Sequence, residues 1–110
     1  MAELNALALH QKSAILHCAY QIIASADGGV DELRDGEVIE YLLTQLQLTG
    51  IYVWDAAIRL SPHDCFLHIA SLSEPEKEGF KKLMLQISSL GGNTSLRLVC
   101  AESLFVLCHI

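Results

Sequence analysis

One joint constrains this chain more than anything else in it. From Ala24 to Glu40 it reads ASADGGVDELRDGEVIE, a short acidic turn set between two apolar segments of helical spacing. Asp27, Asp31, Glu32, Asp35, Glu37 and Glu40 all fall inside this stretch, and Arg34 is its one cation. Gly28-Gly29 supplies backbone that takes positive φ at little cost, so the first segment should end there. Asp31 is a good N-cap for the second segment, with Glu32 and Asp35 near the positive end of its dipole. Such a joint predicts a helix, a tight turn and a second helix.

The segments on either side carry helical periodicity. Leu4, Ala8, Ile15, Ala19, Ile22 and Ala26 recur at three-, four- and seven-residue steps, and Leu9, Leu16 and Ile23 add a second stripe. Together they cover most of the circumference, so the first helix is expected at the centre of the fold. Val38, Ile39, Leu42, Leu43 and Leu46 continue the pattern to about Leu48, where Thr49-Gly50 stops it. Ile51 to Leu60 reads as a short helix carrying Trp54, Ala57 and Ile58. Ser61-Pro62 starts the next, with Phe66, Leu67, Ile69 and Ala70 expected to face inward. Ser73-Glu74-Pro75-Glu76 has capping-box spacing and a proline in the first turn. The helix it opens carries Phe80, Leu83, Met84, Ile87 and Leu90 and stops at Gly91-Gly92. Thr94 or Ser95 is expected to cap a last helix running toward Ile110.

No stretch alternates as a strand would, so the class is all-α. The chain also echoes itself under a shift of 64 positions: Leu16 meets Phe80, Ala19 meets Leu83, Tyr20 meets Met84 and Ile23 meets Ile87. Gly28 then meets Gly92, and Leu42-Leu43 meets Val106-Leu107. The expected architecture is a compact bundle of five or six helices, built as two helix-turn-helix units related by a pseudo-two-fold. Its core should include Ile15, Ala19, Ile22, Leu42, Phe80, Leu83, Ile87 and Val106.

Asp27, Gly28, Val30 and Asp31 resemble the ADG-x-[IV]-D signature of TerB-like domains, the bacterial tellurite-resistance proteins and their relatives. The resemblance extends over nearly the whole chain, since that family has two helix-turn-helix units joined by shorter helices. It implies a non-enzymatic interaction or stress-response module, with metal stress as its context. It also implies a possible metal site at the acidic turn. At the second turn Gly91 and Ser95 replace the acids, so any cation should bind at the first turn alone and weakly, the alternative function being a divalent-cation sensor or buffer.

The candidate ligands there are Asp27, Asp31, Asp35 and Glu37. A hard cation such as Ca²⁺ takes six to eight oxygens, and carboxylates on a glycine-loosened loop are the usual source. An EF-hand is excluded, because Leu33 and Leu42 stand where that loop needs ligands. The bland alternative is that these acids cap a helix. His17-Cys18, Cys65 with His68, and Cys108-His109 invite a zinc reading. Cys65 and His68 share a helix face, but no regular set of four ligands completes the site. A cysteine nucleophile with a histidine base lacks an exposed turn to sit on, and no enzymatic activity is expected.

Length allows one domain, residues 1–110. Apolar residues make up 52% and charged residues 18%, which leaves apolar surface to cover and predicts a protein partner or a homodimer. Leu104–Ile110 and Ile51–Trp54 are the stretches expected to be exposed. A net charge of −6 argues against nucleic acid as a partner. Glu3 stands where a signal peptide wants positive charge, and no apolar run is long enough to span a bilayer, so the expected location is cytoplasmic. Cys18, Cys65, Cys100 and Cys108 lie in apolar helical contexts and are expected to be reduced.

Overall fold

The computed structural model describes residues 2–27, 32–90 and 94–110, without the side chains of residues 2, 26, 27, 32–34 and 51. Among the described residues the chain is entirely helical, in the order α1 (Ala2–Asn5), α2 (Leu9–Asp27), α3 (Glu32–Gln45), α4 (Ile51–Ile58), α5 (Pro62–Ala70), α6 (Glu74–Ser88) and α7 (Thr94–Leu107). That is one helix more than the five or six expected. The addition is α1, which the periodicity runs together with α2. The two separate at Ala6–Ala8, where the Gln11 side chain accepts from the Ala8 amide at 3.0 Å. This is half of a capping box, and it starts α2 afresh.

α2 is the central post. Ala14 through Ala19 are all buried, with Ile22 and Ile23 beyond them, and α4, α5, α6 and α7 pack around it. At the α4 contact the His17 Nδ1–H donates to the Ala57 carbonyl at 2.9 Å, and Gln21 Nε2 lies 3.1 Å from His17 Nε2. The carbonyl can only accept, so this contact assigns the proton to Nδ1. The same carbonyl, in the last turn of α4, also accepts from the Leu60 amide at 3.2 Å. Tyr20 and Trp54 meet edge to face beside it, ring centres 6.3 Å apart.

Local signals set most of the ends. Gly50, the N-cap of α4, has φ 89°, a conformation that a side chain would strain. Ser61 precedes Pro62 as expected but makes no side-chain cap. The α6 box is complete: Glu76 accepts from the Ser73 amide at 2.8 Å, and Ser73 Oγ accepts from the Glu76 amide at 3.4 Å. Gly79 on α6 lets α1 approach closely, since a Cβ there would sit 3.3 Å from Leu4 Cγ. α7 begins at Thr94, so its capping position falls just outside the described residues.

Ile15, Ala19, Ile22, Leu42, Phe80, Leu83 and Ile87 are fully buried, as expected, but Val106 is 74% exposed. The inward residues of α7 are Arg97, Ala101 and Leu104, and Cys108 continues their row just past its end. A shift of two residues turns a helix by about 200°, which carries Val106 to the far side from Leu104. The correction runs through the whole second half of the echo. Leu42 corresponds in burial to Leu104, Ile39 to Ala101 and Leu46 to Cys108, a shift of 62 rather than 64. Leu67 and Leu90, also expected inside, are exposed. The Gly28-Gly29 and Gly91-Gly92 turns, on which the pseudo-two-fold expectation rests, lie outside the described residues.

The same shift of 62 relates the ends of α3 and α7. The Leu48 amide returns to the Leu43 carbonyl at 2.8 Å, and the Ile110 amide returns to the Phe105 carbonyl at 3.0 Å. Gln47 and His109 occupy the left-handed position in each, with φ 54° and 58°. Glycine is the usual residue at that position of a Schellman motif. Gln47→Gly and His109→Gly are therefore each expected to stabilise the fold by roughly 0.4–1 kcal/mol. A rise in melting temperature that adds in the double variant is the outcome to look for.

Candidate functional site

The acidic joint divides its carboxylates. Asp35 is on the inward face of α3, 1% exposed, with Oδ1 at 3.5 Å from Nη2 of the equally buried Arg97. Glu37 is two positions on and therefore on the opposite side of the helix. It is exposed, beside a hollow of about 170 Å³ that Val38, Tyr41 and Leu90 also line. Asp35 and Glu37 accordingly do not face a common point. The side chains of Asp27 and Asp31 lie outside the described residues. Among the described residues no group of three histidine, cysteine or acidic side chains is placed to hold a metal.

Arg97 belongs to none of the motifs above, although the sequence carries a signal for it. Arg97 heads a row of small and apolar residues at steps of four, three and four (Ala101, Leu104, Cys108), and Asp35 heads the matching row Ile39, Leu42, Leu46. Opposite charges at the same place in two apolar rows are a pairing signal.

A cleft of about 570 Å³ lies where the start of α2 meets the α4–α5 corner. Leu9, His10 and Ser13 form one wall; Leu60, Ser61, Asp64, Cys65 and His68 form the other. His68 does share a face with Cys65, and its ring meets His10 across the cleft with centres 5.1 Å apart. The His10–His68 contact joins residues distant in sequence, so no local spacing announces it.

The thiols here are poor nucleophiles. Cys65 is buried, and burial, then the Asp64 charge and Cys108, push its pKa up to about 11. Its thiolate, the reactive form, is scarce near neutrality. Cys18 and Cys108, both fully buried, hydrogen-bond to each other. That bond and burial push Cys18 up, while the same bond, by favouring a Cys108 thiolate, draws Cys108 down against its burial.

The Cys65 shift gives stability a slope at high pH. Between the ordinary thiol value of 9.0 and about 11 the unfolded chain has lost this proton and the folded chain has kept it. Stability attached to Cys65 is thus intact below pH 9 and falls as pH rises toward 11, by roughly 2–3 kcal/mol in all. Cys65→Ala should show a shallower loss of melting temperature between pH 8 and pH 11 than the native chain.

The outer face of α7 is the other candidate. Leu96, Val99, Val106 and Leu107 are 55%, 62%, 74% and 54% exposed. Ser103 lies among them, and Glu102 is the one charged residue on that side of the helix. With Ala101, Leu104 and Cys108 on the inner face, α7 is apolar almost all round, the pattern of a helix covered on every side. Of the stretches expected to be exposed, Val106, Leu107 and Tyr52 are so, whereas Leu104, Cys108 and Trp54 are buried.

No helix among the described residues is long and apolar enough to cross a membrane. Compared with protein-family models, with curated proteins and with solved structures, the chain matches none.

Proposed function

We propose that this chain is a non-enzymatic interaction module, TerB-like in plan, whose contact surface is the outer face of α7. The observation that carries the reading is the row Leu96, Val99, Val106 and Leu107, each more than half exposed on one helix. An apolar row of this kind on an otherwise acidic chain is unfavourable in water and favourable against another protein. The protonated, buried Cys65 supports the non-enzymatic part, since the cleft's thiol is held in its unreactive form. The ADG-x-[IV]-D resemblance supports two helix-turn-helix units and a stress-response setting.

The test is site-specific photo-crosslinking in the host cell. A benzophenone side chain at Ser103, in the middle of the row, is expected to give discrete protein adducts. The same group at Glu78, exposed on α6, is expected to give none. No adduct from Ser103, or equal adducts from both positions, overturns the proposal.

A further inference from the structure

We infer that the outer face of α7 packs against the same face of a second copy of this chain, antiparallel across a two-fold axis. This rests on the reading of that face as a contact surface and names its partner. The spacing within the row gives the first argument. Leu96, Val99, Ser103 and Val106 follow steps of three, four and three, with Leu107 beside the last. Such a row reads the same in either direction. Laid antiparallel on itself, it sets Leu96 against Val106 and Leu107 of the second copy, and Val99 against the small Ser103. These are the side-chain contacts of two helices packed along a narrow seam.

Charge provides the second argument. A chain of net charge −6 repels its own copies, so self-association needs a face poor in acids or one that neutralises them. Within the outer row there is no charge. Glu102 borders the row on the side nearer α6, where the basic cluster Lys77, Lys81 and Lys82 is found. Lys81 Nζ lies 5.9 Å from the centre of the Phe105 ring, which places that cluster beside α7. A two-fold that reverses α7 on itself leaves α6 of both copies along one rim. By the same register Glu102 of each copy lies near Glu102 of the other, and the lysines of both α6 helices along that rim offset the pair.

Area sets the strength. The four apolar side chains together expose roughly 400 Å², the scale at which a surface patch is usually functional. Two copies cover about 800 Å² before any rim is counted, below the ~1,200 Å² at which stable specific interfaces begin. The dimer is accordingly a weak one, forming at micromolar rather than nanomolar concentration.

Sedimentation equilibrium on the full chain, from about 5 μM to about 500 μM, tests this directly. The native chain is expected to pass from monomer to dimer and no further. Val99→Glu with Val106→Glu should raise the dissociation constant at least tenfold. Both positions are exposed, so circular dichroism should be unchanged; if that variant unfolds, Ser103→Glu replaces it with the same expectation. A native chain that stays monomeric throughout overturns the inference, as does a row variant that dimerises as tightly as the native chain. If that monomeric chain still gives protein adducts from Ser103 in the cell, the interaction reading stands and the second copy is excluded. A monomer without adducts removes both.

Discussion

Asp35→Ala is expected to cost the fold about 3–5 kcal/mol, because it breaks a fully buried charge pair from one side. Both residues are 1% exposed, and the pair ties α3 to α7 across a sequence separation of 62 residues. For a domain this size each kcal/mol lowers the midpoint by roughly 4 °C, so a drop of about 12–20 °C should be read by calorimetry. Arg97→Met alone should be similarly damaging, since it breaks the same buried pair from the other side. The informative variant is the double one, Asp35→Leu with Arg97→Met. It removes both charges and fills the space with apolar atoms, and should fall within about 2 kcal/mol of the native chain. A double variant as unstable as Asp35→Ala would mean that the damage lies in packing rather than in the broken charge pair.

The second large effect concerns Phe80. It is fully buried on α6 and meets Phe105 of α7 edge to face, ring centres 6.0 Å apart. Phe80→Ala removes a whole ring from the core and should cost about 3–5 kcal/mol, the transfer loss plus the cavity left behind. Phe105 is only half-buried and carries Lys81 over its ring, so Phe105→Ala should cost distinctly less. In urea titrations the double variant should be less unstable than the two singles predict, by a coupling of about 0.5–1.5 kcal/mol for the edge-to-face pair. Simple additivity would deny the two rings any specific interaction. If either large loss removes most of a marginal domain's stability, a population unfolded without denaturant is itself the expected sign.

Local chemistry made parts of the fold legible in advance. Ser73 and Glu76 opened α6 because a reciprocal cap is written in four consecutive residues. The central place of α2 followed from apolar residues on several sides of one helix. Between α1 and α2 the same signal failed: Leu4 and Ala8 continue the periodic row, so hydrophobicity cannot show the interruption that Gln11 caps. On α7 the error was one of register. Matching Leu42 to Val106 looked as good as matching it to Leu104, because both are apolar on an apolar helix. Only the charges distinguish them, since Asp35 meets Arg97 at a shift of 62 and no partner at 64. At the acidic joint, composition showed the cluster of carboxylates but not their orientation. Asp35 turns inward to Arg97 while Glu37 turns out to solvent, a division that follows from two residues of helical rotation.

The four thiols also make the chain its own clock. Cys18, Cys65 and Cys108 are sealed inside, each on a different part of the chain, and Cys100 is half-buried with its Sγ 3.6 Å from the Gln21 carbonyl. A brief pulse of alkylating reagent therefore finds one partly open sulfur in the native molecule and three that wait for an opening event. With reagent in excess, labelling outruns reclosure and the mass gained counts unfolding events directly. With reagent scarce, it instead reports the equilibrium fraction that is open. The order in which the three masses appear distinguishes a molecule that frays at α7, releasing Cys108 before Cys18 and Cys65, from one that comes apart at once.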